Sequence, residues 1–153
     1  MQGHTHERSL RIGRYSQPGN SYLVTCVVKD RLPIFNDFHI GRMVTKELRN
    51  LHDSGLVYSL AWVVMPDHLH WLFELKSGSL ATLMQSLKGR SAFAINKAYG
   101  AKTLIWQKGY YDRGVRAEED LTEMARYVIH NPMRAGLVSH LKHYPLWDCE
   151  WMP

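Results

Sequence analysis

The segment VYSLAWVVMPDHLHWLFEL, residues 57–75, predicts a β-hairpin that carries two histidines on one face. Val57–Met65 is a run of apolar and β-branched residues, and Pro66-Asp67 is a pair typical of tight turns. In the strand that follows, successive side chains point to opposite faces, so His68 and His70 project together and the apolar side chains between them project the other way. We therefore expect one face of the hairpin to pack and the other to be open to chemistry.

Two histidines one residue apart on a strand are a candidate metal site. Neutral imidazole is a common ligand of divalent cations, yet two histidines leave most of the coordination sphere open. A third protein ligand and a substrate oxygen would be needed to complete it. The alternative is two polar residues on the solvated side of an amphipathic strand, and only a partner elsewhere in the chain can decide between the two interpretations.

A candidate partner lies in the segment AEEDLTEMARYVIHNP, residues 117–132, which predicts a helix. Its acidic first turn suits the helix dipole, and the residue before Pro132 is disfavoured in α geometry, so the helix should end near Asn131. Tyr127 and Asn131, four residues apart, share a face. The Asn131 amide oxygen could complete the metal site with Tyr127 beside it as a nucleophile, because a nearby cation favours the phenolate. The alternative for Tyr127 is an interior or rim residue of an amphipathic helix.

Further blocks have a recognisable order and spacing. They are RYSQPG at 14–19, YLVT at 22–25, AWVVMPDHLH at 61–70, IWQKGYYDR at 105–113 and YVIHNPMRAGLV at 127–138. Together they resemble the single-tyrosine HUH transposases, in which U is a large hydrophobic residue, here Leu69. The resemblance is greatest to the REP-associated tyrosine transposases and spans residues 11–150.

That resemblance implies a site and a reaction. His68, His70 and Asn131 would ligate Mg²⁺ or Mn²⁺, and Tyr127 would attack a phosphodiester in single-stranded DNA. The product would be a covalent 5′-phosphotyrosine and a free 3′-hydroxyl, which can be rejoined without a nucleotide cofactor because the ester keeps the energy of the broken bond. Tyr110 and Tyr111 are alternative nucleophiles, but the helical register with Asn131 favours Tyr127.

The resemblance also implies a DNA hairpin with an unpaired flank, a REP-like palindrome, as the bound partner. The formal charge of +5 and the pI near 9.3 permit such a phosphate-rich partner. An ordinary solvated surface is the alternative for each basic residue. The candidates for DNA contact are Arg8, Arg11, Arg14, Lys88, Arg90, Lys97, Trp106, Tyr110 and Tyr111.

The order of predicted elements is that of a ferredoxin-like α+β sandwich. The predicted order begins with a strand at 21–29, a helix at 37–54 and the hairpin. It continues with a helix at 79–99 that is loosened at Gly89, a strand at 104–115 and the tyrosine helix. We expect an antiparallel sheet with helices on one face and the tyrosine helix crossing toward the histidines. At 153 residues the chain predicts a single domain, with a basic N-terminal segment at 1–18 and a tail at 139–153 that packs back on it.

Cys26 and Cys149 have no metal-binding spacing, and no apolar run reaches about 18 residues. We therefore expect a cytoplasmic protein with no membrane partner, and the resemblance implies that it is associated with the bacterial nucleoid when bound to DNA. The resemblance to the REP-associated branch favours a monomer, and the resemblance to the wider superfamily leaves a dimer that exchanges the tyrosine helix as the alternative. Two other functions stay open: a domesticated hairpin-binding protein that no longer cuts, and a metal-dependent phosphoesterase that uses water.

Overall fold

The computed structural model describes residues 16–116 and 119–151. The strands are β1 (Ser21–Val27), β2 (Val57–Met65), β3 (His68–Leu75), β4 (Tyr111–Val115) and β5 (Trp147–Cys149). The helices are α1 (Phe38–Asp53), α2 (Leu80–Tyr99), α3 (Leu121–Ile129) and α4 (Asn131–Arg134). Short 3-10 turns cover Lys29–Arg31, Ile34–Asn36 and Leu141–His143.

The five strands form one antiparallel sheet in the order β4-β1-β3-β2-β5. The first four strands have the β-α-β-β-α-β connectivity of the ferredoxin-like fold, and the prediction of a ferredoxin-like α+β sandwich is confirmed. β5 comes from the C-terminal tail and pairs Cys149 with Ala61 of β2. The expectation that the tail packs back on the domain is confirmed, although a fifth strand was not predicted.

A separate hydrophobic core lies on each face of the sheet. The alternation of β3 divides them, because Leu69, Trp71 and Phe73 face α1 and α2 whereas Leu72 faces α3. A one-residue slip of β3 would reverse both faces, and burying each large apolar side chain contributes about 1.5–3 kcal/mol, so the register is strongly determined. The histidines, which share the parity of Leu72, therefore lie on the face covered by α3.

Side chains at their N-termini cap three of the helices. Asp37 accepts from the His39 N–H at 2.9 Å, Ser79 from the Thr82 N–H at 3.2 Å, and Asp120 from the Thr122 N–H at 2.9 Å. α2 runs unbroken through Gly89, so the predicted loosening there is wrong. α2 stops at Gly100, whose φ of +61° suits a residue without a Cβ.

Two predicted elements need correction. The predicted strand at 104–115 is a strand only over Tyr111–Val115, because the Trp106 side chain turns into the core and the backbone there makes one isolated bridge to Val28. The tyrosine helix ends at Ile129, close to the predicted position, but Asn131-Pro132 then starts α4. Proline fits the first turn of a helix because no intrahelical partner is needed for its missing N–H.

Among the described residues, no helix is both long enough and apolar enough to span a membrane.

Candidate active site

The two histidine rings of β3 converge through their Nε2 atoms, which lie 3.1 Å apart. Each ring is held by its other nitrogen. His68 Nδ1 lies 2.7 Å from Oδ1 of Asp67, and His70 Nδ1 lies 2.9 Å from Oγ1 of Thr25 on the neighbouring strand β1. The two rings are nearly perpendicular, at 85°. Both Nε2 atoms are thus aimed at a common point by partners on the far side of each ring.

The Asp67 carboxylate determines the tautomer of His68. Burial disfavours the charged form, but hydrogen bonds from His68 and Arg31 outweigh it and hold the pKa of Asp67 below its usual value. Because a carboxylate only accepts hydrogen bonds, Nδ1 of His68 donates to Asp67, and the tautomer with its proton on Nδ1 has its lone pair on Nε2. Nη1 of Arg31 lies 3.2 Å from Oδ2 of Asp67, and the Arg31 backbone has a positive φ of +52°.

His70 is held in its neutral form. Burial of the ring is the main cause that lowers its pKa to about 3. The nearby positive charges of His68, Arg134 and Arg31 lower it further. Neutral imidazole is the form that binds a metal, so His70 needs to lose no proton near neutral pH to act as a ligand.

The geometry of the pair fits a divalent cation. Two nitrogens that occupy adjacent positions about 2.1 Å from an ion lie about 3 Å apart, which agrees with the observed Nε2–Nε2 separation. Oriented second nitrogens are a usual feature of histidines that ligate metals. Within residues 16–116 and 119–151, no cluster of three His, Cys, Asp or Glu side chains is arranged to hold an ion. A further protein ligand at this site would therefore be of another type, such as an amide oxygen.

Asn131 offers such an oxygen at the junction of α3 and α4. Its Nδ2 donates to the carbonyl oxygen of Val128 at 3.0 Å and, at 3.4 Å, to that of Tyr127. This orients the amide, and no donor among the described residues bonds to Oδ1. α3 and α4 pack against β2, and α3 also against β3, on the face that carries the histidines. The structure thus brings Asn131 to the same face as His68 and His70.

Tyr127 is exposed to 58% and has a cationic neighbour. The guanidinium carbon of Arg134 lies 3.9 Å from the centroid of the tyrosine ring, and Arg134 also donates to the Tyr127 carbonyl oxygen. This places positive charge against a ring that would develop negative charge in an attack. The same Arg134 is close enough to His70 to lower its pKa, which links the tyrosine to the histidine pair.

Sequence reasoning missed Thr25, Asp67, Arg31 and Arg134. Asp67 directly precedes the first histidine, and Arg134 follows Tyr127 by two helical turns, so both had a local signal. Thr25 is 45 residues from His70, and only the pairing of β1 with β3 brings them together.

The predicted aromatic contacts with DNA separate into two groups. Trp106 is only 5% exposed and its indole N–H donates to Ser91 at 3.0 Å, so the prediction that it faces DNA is wrong. Tyr110 is partly buried against the core with its hydroxyl oxygen inaccessible, and its contact with DNA stays a prediction. Tyr111 pairs with Thr25, which pairs with His70, so Tyr111 lies in the histidine row and on the same face. Its contact with DNA stays a prediction.

The predicted basic contacts on α2 lie on the opposite face of the sheet from the histidines. Lys88 donates to the carbonyl oxygens of Gln107 and Gly109 at 2.7 and 2.6 Å, so it holds the loop before β4 instead of facing open solvent. Arg90 pairs with Glu47 at 3.0 Å, and Lys97 lies 6.0 Å from the Phe93 ring. Contacts of Arg90 and Lys97 with DNA stay predictions. Arg8, Arg11 and Arg14 lie outside the described residues.

The family model described as "Transposase IS200 like" matches residues 17–131, which include both histidines, Tyr127 and Asn131. The chain belongs to the IS200-like transposases. Among its relatives is a Haemophilus influenzae protein provisionally named a REP-associated tyrosine transposase, 24% identical in an alignment 142 positions long that covers 83% of this chain and 78% of the relative. The REP-associated tyrosine transposase of Escherichia coli K12 is 28% identical over 87 residues, which cover 56% of this chain and 50% of that protein.

The fold of this transposase also matches a solved structure. A REP-associated tyrosine transposase bound to a REP hairpin superposes with a TM-score of 0.72, at 22% identity, over 88% of this chain and 79% of the other. The predicted resemblance to REP-associated tyrosine transposases is confirmed. Arg134 and β5 lie beyond the segment that the family model matches.

Proposed function

We propose that this transposase cleaves and rejoins single-stranded DNA beside a hairpin through a covalent 5′-phosphotyrosine on Tyr127. In this proposal His68, His70 and Asn131 hold Mg²⁺ or Mn²⁺. The observation that carries it is the pair of Nε2 atoms 3.1 Å apart, each oriented through its other nitrogen, on the sheet face that α3 covers. Membership of a transposase family supports DNA as the substrate.

Each side chain of the site has a separate role in the proposed reaction. Asp67 and Thr25 hold the imidazoles with their Nε2 lone pairs facing the same point. A divalent cation held there supplies Lewis-acid polarisation of a phosphate oxygen. Arg134 stabilises the negative charge that develops on the phenol and on the phosphate as they react.

The chemistry is a transesterification. The Tyr127 phenolic oxygen forms a bond to phosphorus, and the bond from phosphorus to the 3′-oxygen breaks. The phenolic proton passes to solvent, and the departing 3′-oxygen takes a proton from solvent to become a hydroxyl. The tyrosyl ester conserves the energy of the phosphodiester, so attack by another 3′-hydroxyl reverses the reaction and joins strands without a nucleotide cofactor.

The proposed partner is DNA that folds into a hairpin, in the manner of REP palindromes, with an unpaired flank that is cut. The relative of known structure is bound to a REP hairpin, which supports this choice. We further propose that the enzyme acts as a monomer, which a mass measurement in solution checks directly.

The test is adduct formation on single-stranded hairpins with labelled 5′ and 3′ flanks, in Mn²⁺ and in EDTA. We expect a denaturant-resistant adduct with the wild type and none with Tyr127→Phe or in EDTA. Tyr111→Phe is the matched control, because this tyrosine lies on the same face and is an alternative nucleophile. An adduct that survives in Tyr127→Phe would contradict the proposal.

Two other results would redirect the assignment. Tight hairpin binding with no cleavage in either Mg²⁺ or Mn²⁺ would indicate a binding protein that does not cut. Metal-dependent hydrolysis of a small phosphate ester that persists in Tyr127→Phe would indicate a phosphoesterase that uses water.

A further inference from the structure

A long groove lies between α1 and the C-terminal strand, away from the histidine face. Its volume is about 1230 Å³. One wall is the exposed side of α1, the floor is the middle of β2 with Trp62, and the other wall is the segment 145–150 that contains β5. No residue of the proposed catalytic machinery lines it.

Three exposed cations follow the α1 wall one helical turn apart. They are Arg42, Lys46 and Arg49, at spacings of four and three residues that put them on one side of the helix. None of the three forms an ion pair with any residue that the structure describes. By contrast, Arg90 on α2 is paired with Glu47. The α1 stripe is therefore a row of positive charge that no carboxylate neutralises through an ion pair inside the described parts of the chain.

The opposite wall of the groove carries negative charge. Asp148 and Glu150 lie on it, and Asp53 lies at the far end of α1. Glu150 also accepts from the Tyr58 hydroxyl at 2.7 Å. An anionic polymer in the groove would be repelled from that wall and attracted along α1, so its path would follow the helix.

The spacing of the stripe suits a duplex backbone. Seven residues of helix separate Arg42 from Arg49, a rise of about 10.5 Å. Phosphates of one strand of a duplex advance about 3.4 Å along the axis, so the stripe spans about three of them. Sites for single strands stack successive bases on exposed aromatic rings. On the floor of this groove Trp62 is partly buried against the core, and the exposed Phe38 ring lies at one end of the cationic stripe, an arrangement that favours duplex over single-stranded DNA.

The groove begins at the end of the sheet that carries the histidine hairpin. The turn just before α1 is tied to that hairpin, because the Phe35 N–H donates to the Pro66 carbonyl oxygen at 3.0 Å. Phe38, the first residue of α1, lines this end of the groove and is itself exposed, with the Arg42 guanidinium 5.5 Å from its ring centroid. A duplex along α1 would thus end next to the turn that precedes His68.

We propose that this groove binds the duplex stem of the DNA hairpin through its phosphates, with Arg42, Lys46 and Arg49 as the contacts. This proposal rests on the hairpin substrate proposed above and adds the surface that holds the stem. The unpaired flank then leaves the stem at the Phe38 end and passes toward the histidine face.

The test is binding of a fluorescent hairpin in EDTA, followed by anisotropy over a series of salt concentrations. We expect the triple variant Arg42→Gln, Lys46→Gln, Arg49→Gln to lose about tenfold or more in affinity and to lower the slope of log K against log salt by about 2 to 3, since each phosphate contact contributes about 0.9. The charge-matched control is Lys76→Gln, Lys102→Gln, Lys108→Gln, which removes three exposed lysines outside the groove. It should keep nearly the wild-type slope.

Wild-type affinity and slope in the folded triple variant would overturn the proposal, as would an equal loss in the control variant. An equal loss of affinity for an unstructured single strand would assign the groove to single-stranded DNA and overturn the stem assignment. Thermal unfolding shows whether the triple variant is folded, and Lys46→Gln alone, expected to lower the slope by about 1, replaces it if it is not. Binding in EDTA does not depend on Tyr127, so a wild type that forms no adduct contradicts the cleavage proposal and leaves the groove to be judged by binding.

Discussion

Replacing Thr25 with valine tests the second shell of the proposed metal site with almost no change in shape. Thr25 Oγ1 lies 2.9 Å from Nδ1 of His70, and a hydroxyl that accepts from Nδ1–H leaves the Nε2 lone pair for the metal. Valine leaves that N–H without its partner in a ring buried enough to lower the His70 pKa to about 3. An unpaired buried donor costs about 1–3 kcal/mol.

That cost corresponds to about 5- to 150-fold in a binding constant, and loss of a second-shell partner usually weakens metal affinity by about 10- to 100-fold. We therefore expect Thr25→Val to bind Mn²⁺ about 10- to 100-fold more weakly by calorimetric titration. Adduct formation should need correspondingly more Mn²⁺ and reach a similar rate at saturation. Thr25→Ser, which keeps the hydroxyl, should resemble the wild type. A folded Thr25→Val protein with wild-type Mn²⁺ affinity would refute the reasoning.

Three further predictions concern the same site. Asn131→Ala should weaken Mn²⁺ binding at least about tenfold, because it removes the side-chain oxygen. Asn131→Asp keeps an oxygen at that position and should retain Mn²⁺ binding. Equal affinities in the two variants would exclude Asn131 as a ligand. Arg134→Gln should slow adduct formation about tenfold with Mn²⁺ affinity unchanged, and Arg134→Lys should restore part of the rate. A wild-type rate for Arg134→Gln would show that the positive charge of Arg134 does not contribute to the reaction. The lowered pKa of His70 means that the unfolded chain binds a proton more readily than the native one. The contribution of His70 to the free energy of unfolding is therefore fully present above pH 6.5 and is lost as the pH falls toward about 3. The loss is at most about 1.4 kcal/mol per pH unit. Urea unfolding in EDTA at several pH values should show this slope reduced in His70→Gln, and an unchanged slope would count against the assignment.

Local patterns were sufficient for much of the fold and for the members of the site. The alternation after Pro66-Asp67 placed His68 and His70 on one face, and the four-residue spacing placed Tyr127 and Asn131 one turn apart. These features depend on neighbours within a single element, where the periods of strand and helix are set by backbone geometry. The element order was enough to indicate a ferredoxin-like sheet for the same reason.

The contacts that tune the site came only from the tertiary structure. Thr25 reaches His70 through the pairing of β1 with β3. Arg134 lies over the Tyr127 ring, and its charge lowers the pKa of His70, because α3 and α4 pack on the histidine face. Trp106 and Tyr110 looked equally suited to a surface, but packing turned both of them inward. The sequence by itself determined which residues share an element and a face, since those relations are local. Strand register, burial and the meeting of distant side chains were decided by long-range packing, which acts on the whole chain at once and leaves no periodic signal in any one segment.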